Sequence, residues 1–249
     1  MTILLRLSFV GTDFCGWQVQ PNGRSVQQTL TEAAKTLLGT PCRITGCSRT
    51  DSGVHALDFA ATLVPENGQC TIPPERLPAA FAQILPPDLA VRSAALVPDD
   101  FHPRYDVRYK EYIYRILQAR VPDPFLRGRV WQYPRAFDDG ALERMNAAAS
   151  ALCGRHDFSA FMATGSKISD PVRTVKFCYV EREDEQFVLH IAADGFLYHM
   201  VRIIAGTLVL SAEGKLDADG MRAIIEGKKR AAAGVTAPPE GLYLYKVVY

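Results

Sequence analysis

Two short apolar runs, Cys42 to Cys47 and Leu57 to Val64, flank a compact and mostly polar stretch, Ser48-Arg49-Thr50-Asp51-Ser52-Gly53-Val54-His55. Each run has the length of a strand and is too short for an independent helix. A strand, a tight loop with two charged residues and a glycine, and a second strand form a unit that displays loop side chains on a rigid support, where a scaffold presents chemistry. The neighbouring segments restrict the fold further. Ile3, Leu5, Leu7 and Phe9 alternate against Arg6 and Ser8, which predicts a half-buried strand. Ser25 and Gln28 make a capping-box pattern, Val26, Leu30, Ala33 and Leu37 share one helical face, and Gly39 ends it.

The rest of the chain keeps mixing the two periods. Thr71 to Pro87 carries five of the sixteen prolines around a short helix, and Leu89 to Val97 reads as a strand. Pro98 to Pro103 reads as a junction, dividing the chain into an N-terminal half, 1–100, and a C-terminal half, 101–249. Beyond it, Arg108 to Leu117 alternates with Lys110, Tyr112, Tyr114 and Ile116 on one face. Helices are predicted over 141–153, 197–211 and 218–226, and strands over 172–180, 187–192 and 242–249. Strict βαβ alternation is missing, so the expected class is α+β with largely antiparallel sheet.

Composition excludes several classes. With 249 residues, 48% of them hydrophobic and 22% charged, the chain is a folded protein and neither disordered nor fibrous. Its six cysteines form no C-x-x-C pair and imply reduced thiols in the cytoplasm. The stretch Ile3 to Val10 is interrupted by Arg6 and does not resemble a signal peptide; Gly195 to Leu210 contains His199 and Arg202 and is too short to span a bilayer, so no membrane partner is expected. The net charge is only +1, yet Phe101 to Arg135 holds eight basic residues against three acidic ones, interleaved with Tyr105, Tyr109, Tyr112, Tyr114, Phe125, Trp131 and Tyr133. Basic groups for phosphates and aromatic faces for bases suit a structured RNA; the plainer alternative is a core of alternating aromatics with solvated arginines.

Three side chains stand out. Asp51, between Arg49 and Gly53, is a candidate nucleophile or base, the alternative being an Asx turn in which its carboxylate caps the backbone. Arg202, inside an otherwise apolar helix, must pair with an anion such as Asp51 or reach water. Tyr112 is the third, with a core tyrosine as alternative. His55 beside Asp51 leaves a small-molecule hydrolase open as a rival. No phosphate-cradling glycine loop, dinucleotide fingerprint or H-E-x-x-H occurs, so no cofactor and no metal is expected.

Six ordered blocks resemble the tRNA pseudouridine synthase A family. Arg49-Thr50-Asp51-Ser52-Gly53-Val54-His55-Ala56 resembles its R-T-D-x-G-V-H-A, and Gly11-Thr12-Asp13-Phe14-Cys15-Gly16-Trp17-Gln18 its G-T-x-F-x-G-W-Q. Phe101-His102-Pro103-Arg104 with Tyr112-Ile113-Tyr114 resembles F-H-x-R and Y-x-Y; Gly154-Arg155-His156-Asp157-Phe158 resembles G-x-H-D-F. Phe196 to Arg202 resembles F-L-x-x-M-V-R, and Ala237 to Leu242 resembles A-P-x-x-G-L. Val10 and Ser48 depart from the family's common aspartate and glycine. The resemblance implies a pseudouridine synthase fold, with two α/β halves flanking a central cleft, the first carrying the R-T-D loop and the second completing the cleft and the RNA surface. It implies isomerisation of uridine to pseudouridine at positions 38, 39 and 40 in the anticodon arm of tRNA, by a homodimer. It makes Asp51, Tyr112 and Arg202 catalytic, Arg202 holding Asp51 ionised, and assigns substrate binding to Arg49, Tyr112, Leu242, Arg104 and His102.

Overall fold

The computed structural model describes residues 1–21, 23–165 and 168–249. In chain order its elements are β1 (Thr2–Phe9), α1 (Val26–Leu38), β2 (Cys42–Gly46), β3 (His55–Pro65), α2 (Leu77–Phe81), β4 (Leu89–Val97), β5 (Tyr109–Gln118), β6 (Trp131–Tyr133) and α3 (Ala141–Ser150). There follow β7 (Gly154–Asp157), β8 (Val172–Glu183), β9 (Gln186–Ala193), α4 (Met200–Ala212), α5 (Ala218–Gly227) and β10 (Leu242–Val248). Two compact units result: Met1–Arg108 with Tyr243–Tyr249, and Tyr109–Leu242. The content is α+β, as its alternation of periods predicts, and no helix among the described residues is long and apolar enough to cross a membrane.

In the first unit the strand order is β4-β1-β3-β10, with β2 also on β3. All pairings are antiparallel except β3 with β10, where Tyr243 faces His55 and Leu244 faces Ala56. The alternation in β1 does what period two demands: Ile3, Leu5, Leu7 and Phe9 are buried, and Arg6 on the other face reaches Asp58 and the Val247 carbonyl. Helix α1 begins as its capping pattern predicts, with the Ser25 hydroxyl accepting from the Gln28 N–H, a contact worth about 1 kcal/mol. It ends at Gly39, whose N–H donates to the Lys35 carbonyl. Its buried stripe runs Val26, Leu30, Ala33, Ala34 and Leu38; Leu37, assigned to that face from its spacing, is only half-buried.

In the second unit β6 pairs with the end of β5, and β5, β9, β8 and β7 follow antiparallel. Helix α3 lies on β8 and α4 against β5. Every residue of α4 except Arg202 and Leu210 is buried, as expected for a helix apolar on nearly all sides. It starts at Met200, three residues after its apolar run begins, because His199 takes a left-handed backbone. Strands β6 and β7, of three and four residues, were not expected; such lengths carry no readable period.

The end of α4 is tied to β6 by one carboxylate. Glu213 accepts from the Tyr133 hydroxyl (2.7 Å), Arg135 (2.9 Å) and Lys215 (2.7 Å). Lys215 first, then Tyr133 and Arg135, hold its carboxyl down to about 2 against the opposing effect of burial. A carboxyl depressed on folding stabilises fully above its unfolded value of about 4.3, and that contribution disappears as pH falls toward the folded value. Glu213→Gln is therefore expected to cost about 1 kcal/mol at neutral pH. That difference should shrink between about pH 5 and about pH 2 in urea unfolding. An equal difference at both ends of this range would refute the assignment.

Candidate active site

Asp51 stands at the head of a turn closed through the main chain: the Val54 N–H donates to the Asp51 carbonyl (3.2 Å), with Gly53 at φ 81°. Residues 11–17 hold this turn from outside. The Gly11 N–H donates to Nδ1 of His55 (2.9 Å), the Trp17 N–H to the Thr50 carbonyl (3.2 Å), and the Ser52 hydroxyl to the Phe14 carbonyl (3.2 Å). The approach is closer than side chains permit. A Cβ on Gly11 would lie 2.0 Å from the Val54 oxygen. One on Gly16, at φ 100°, would lie 2.5 Å from the Thr50 oxygen. The G-T-x-F-x-G-W-Q block is thus the mould of the R-T-D block.

His55 opens β3 rather than ending the loop. It is 1% exposed, stacks on Tyr243 with ring centroids 4.5 Å apart, and uses Nδ1 to hold Gly11. A histidine so committed is a brace for the turn, and the hydrolase alternative loses its base.

Arg49, His102 and Arg104 meet in one cleft of about 240 Å³ in the same unit, with Trp17, Gln18 and Tyr105 in its wall. His102 organises its side of the cleft. Its Nδ1 accepts from the N–H groups of Arg104 (3.1 Å) and Tyr105 (3.3 Å), and its own N–H donates to Asp106 (2.8 Å). The last residue of the chain anchors this turn: the Tyr249 hydroxyl donates to the Pro103 carbonyl (2.7 Å), and Phe101 meets the Tyr249 ring edge-on at 4.9 Å. Burial above all pushes the Tyr249 hydroxyl well above the ordinary tyrosine range. Sequence reasoning named Arg49, His102 and Arg104 but missed Trp17, Gln18 and Tyr105 as their neighbours; the exposed-aromatic signal at Tyr105 was present among the interleaved rings.

Tyr112, Arg202 and Leu242 belong to the second unit. Tyr112 is 6% exposed on β5 and meets Phe196 edge-on at 4.9 Å. Arg202 donates from Nε to the Ala237 carbonyl (2.7 Å), and the Ala237 N–H donates back to the Arg202 carbonyl (3.1 Å). The Tyr114 hydroxyl donates to the Pro238 carbonyl (2.7 Å). These bonds carry the A-P-x-x-G-L block across α4 and β5 and deliver Leu242, 7% exposed, to the start of β10. Burial, reinforced by Glu240 and opposed by Arg202, pushes the Tyr114 hydroxyl far above its usual range, so it stays a donor. The guanidinium of Arg202 does not simply extend to solvent, because Nε is fixed on a carbonyl.

Comparisons with known proteins place the chain in a family. A family model described as tRNA pseudouridine synthase matches residues 7–106 and 148–249. The chain is 43% identical over 247 residues to tRNA pseudouridine synthase A of Acetivibrio thermocellus, covering 99% of each. It is 41% identical over 247 residues to that of a Thermoanaerobacter species, again covering 99% of each. Against that of Rhodospirillum rubrum the identity is 41%, over 98% of this chain and 86% of the relative. Matched along its whole length, the chain belongs to the tRNA pseudouridine synthase family, a family of isomerases.

Proposed function

We propose that this enzyme converts uridine to pseudouridine at positions 38, 39 and 40 in the anticodon arm of tRNA, acting as a homodimer in the cytoplasm. The observation that carries the reading is the turn bearing Asp51, held by residues 11–17 through contacts that admit no side chain at Gly11 or Gly16. The reaction breaks the bond from C1′ to N1, turns the uracil, and forms a bond from C1′ to C5. The proton at C5 is lost and N1 gains one, so atoms and electrons balance without a redox partner.

Asp51 acts on the ribose as the glycosidic bond breaks, by covalent trapping at C1′ or by assisting a glycal. Tyr112 stacks on the extruded uracil and its hydroxyl helps remove the C5 proton. Arg202 supplies positive charge to the reaction. Arg49, exposed at the edge of its loop, occupies the space the nucleotide leaves, and Leu242 forms an apolar wall. Arg104 and His102 hold the RNA beside the loop.

Asp51→Asn is nearly isosteric, so it should abolish turnover on an unmodified tRNA transcript while leaving affinity nearly unchanged. Pseudouridine mapped by carbodiimide-stop sequencing at above roughly a tenth of the wild-type rate would remove Asp51 from the essential role. Wild-type stops outside the anticodon arm would correct the assigned positions, and none at all would leave an RNA-binding protein without this activity. Arg202→Ala should lower the rate by about a hundredfold or more, as expected when a positioned charge is deleted from a reaction site; unchanged kinetics in a folded variant would contradict that role. Affinity should drop at least about tenfold between 50 and 200 mM salt if several phosphates are contacted. A flat titration would rule out a phosphate-dominated interface.

A further inference from the structure

The cleft beside the Asp51 loop has a built interior, and its aromatic wall takes no part in the reaction chemistry above. At about 240 Å³ it falls below the range of about 300–1,000 Å³ typical of drug-sized sites, and suits one ring system. Two guanidiniums, Arg49 and Arg104, line it and no carboxylate does, which favours an anionic ligand. Tyr105 contributes an aromatic face that is not core: it is 74% exposed. Its ring is nonetheless held in place, with the His102 imidazole 4.2 Å away by ring centroids and the Arg104 guanidinium 5.9 Å from its centre. His102 is itself locked by the two N–H groups its Nδ1 accepts. Such a preorganised, solvent-facing ring beside a guanidinium is an arrangement that stacks a base and holds its phosphate. Trp17 closes the floor, 4% exposed, and the amide of Gln18 stands exposed at the rim, where it can meet a base edge.

We propose that this cleft binds one nucleotide of the RNA next to the target uridine, with the base stacked on Tyr105 and its phosphate on Arg104. The inference rests on the isomerase reading above and adds to it a second nucleotide subsite and a residue, Tyr105, that sets affinity for the substrate. Chain connectivity supports the adjacency. Arg49 lies two peptide steps from Asp51, which limits their Cα separation to about 7 Å, so the cleft begins within one nucleotide of the reacting ribose.

The test is a binding cycle on unmodified anticodon stem-loop RNAs, followed by fluorescence anisotropy. Wild-type protein and Tyr105→Ala are each titrated with the intact stem-loop and with versions lacking the base on the 5′ or the 3′ side of the target. Removing the ring or the correct neighbouring base should each weaken binding about tenfold. Removing both should cost little more than either alone, because one contact is deleted twice. Circular dichroism confirms the fold of the variant, whose exposed ring supports no core. In turnover with the same RNAs the loss appears in KM rather than kcat. Losses that multiply for both neighbours, or no loss with Tyr105→Ala, overturn the subsite. Wild-type protein that binds the stem-loop without isomerising it overturns the isomerase reading while the cycle still decides the cleft; failure to bind overturns both.

Discussion

The oxygens of Val54 and Thr50 occupy the space where side chains at positions 11 and 16 would begin, and the placement of Asp51 follows from that contact. Hydrogen bonds alone would not order such a loop. Each contributes about 1 kcal/mol net, while fixing each residue's backbone costs about 1–2 kcal/mol. The difference comes from burial: Phe14, Trp17 and Val54 are 2–4% exposed, and burying a large apolar side chain contributes about 1.5–3 kcal/mol. Trp17 stacks on Phe59 of β3 with centroids 4.2 Å apart, so the mould and the strand leaving the loop share one core. The carboxylate is therefore presented by a loop that shares its packing with the sheet beneath it.

The second unit solves a comparable problem with polar side chains. An arginine in a helix that is otherwise buried except at Leu210 would be costly without partners. Here Nε donates to the Ala237 carbonyl, which gives the guanidinium a partner within the unit. The same bond fixes residues 237–242, and Tyr114 fixes them again through Pro238. Tyr112 and Tyr114, two apart on β5, share a face of the strand and differ in what they hold. Tyr114 secures the A-P-x-x-G-L segment, and Tyr112 rests on Phe196 at the head of the F-L-x-x-M-V-R segment.

Much of this was legible in the chain. The strands at 3–9 and 57–64, the cap at Ser25 and the stop at Gly39 follow from period and capping chemistry, and each lies where those rules put it. What escaped was whatever depends on contacts distant in sequence. Nothing local marks Tyr249 as the anchor of the turn at Pro103, or the strand from Tyr243 as parallel partner of β3. His55 illustrates the limit most clearly. Beside an aspartate it resembles a catalytic base, and only its bond to Gly11, forty-four residues earlier, shows it to be a brace.

The interleaved aromatics of Phe101 to Arg135 divide for the same reason. Alternation cannot distinguish a strand with one wet face from one buried on both sides, and β5 is the latter, with Tyr112, Ile113 and Tyr114 all buried. Both tyrosines are buried within the second unit. Tyr105 and Phe125 lie outside the strand and are 74% and 88% exposed, so they support no core. A single stretch of basic and aromatic residues thus does two jobs, and secondary structure decides which residue does which. Where the backbone is a strand between packed layers its rings build the unit; where it turns at 102–105 the rings face water beside two guanidiniums, the one environment in which an aromatic is better explained by a base than by a core.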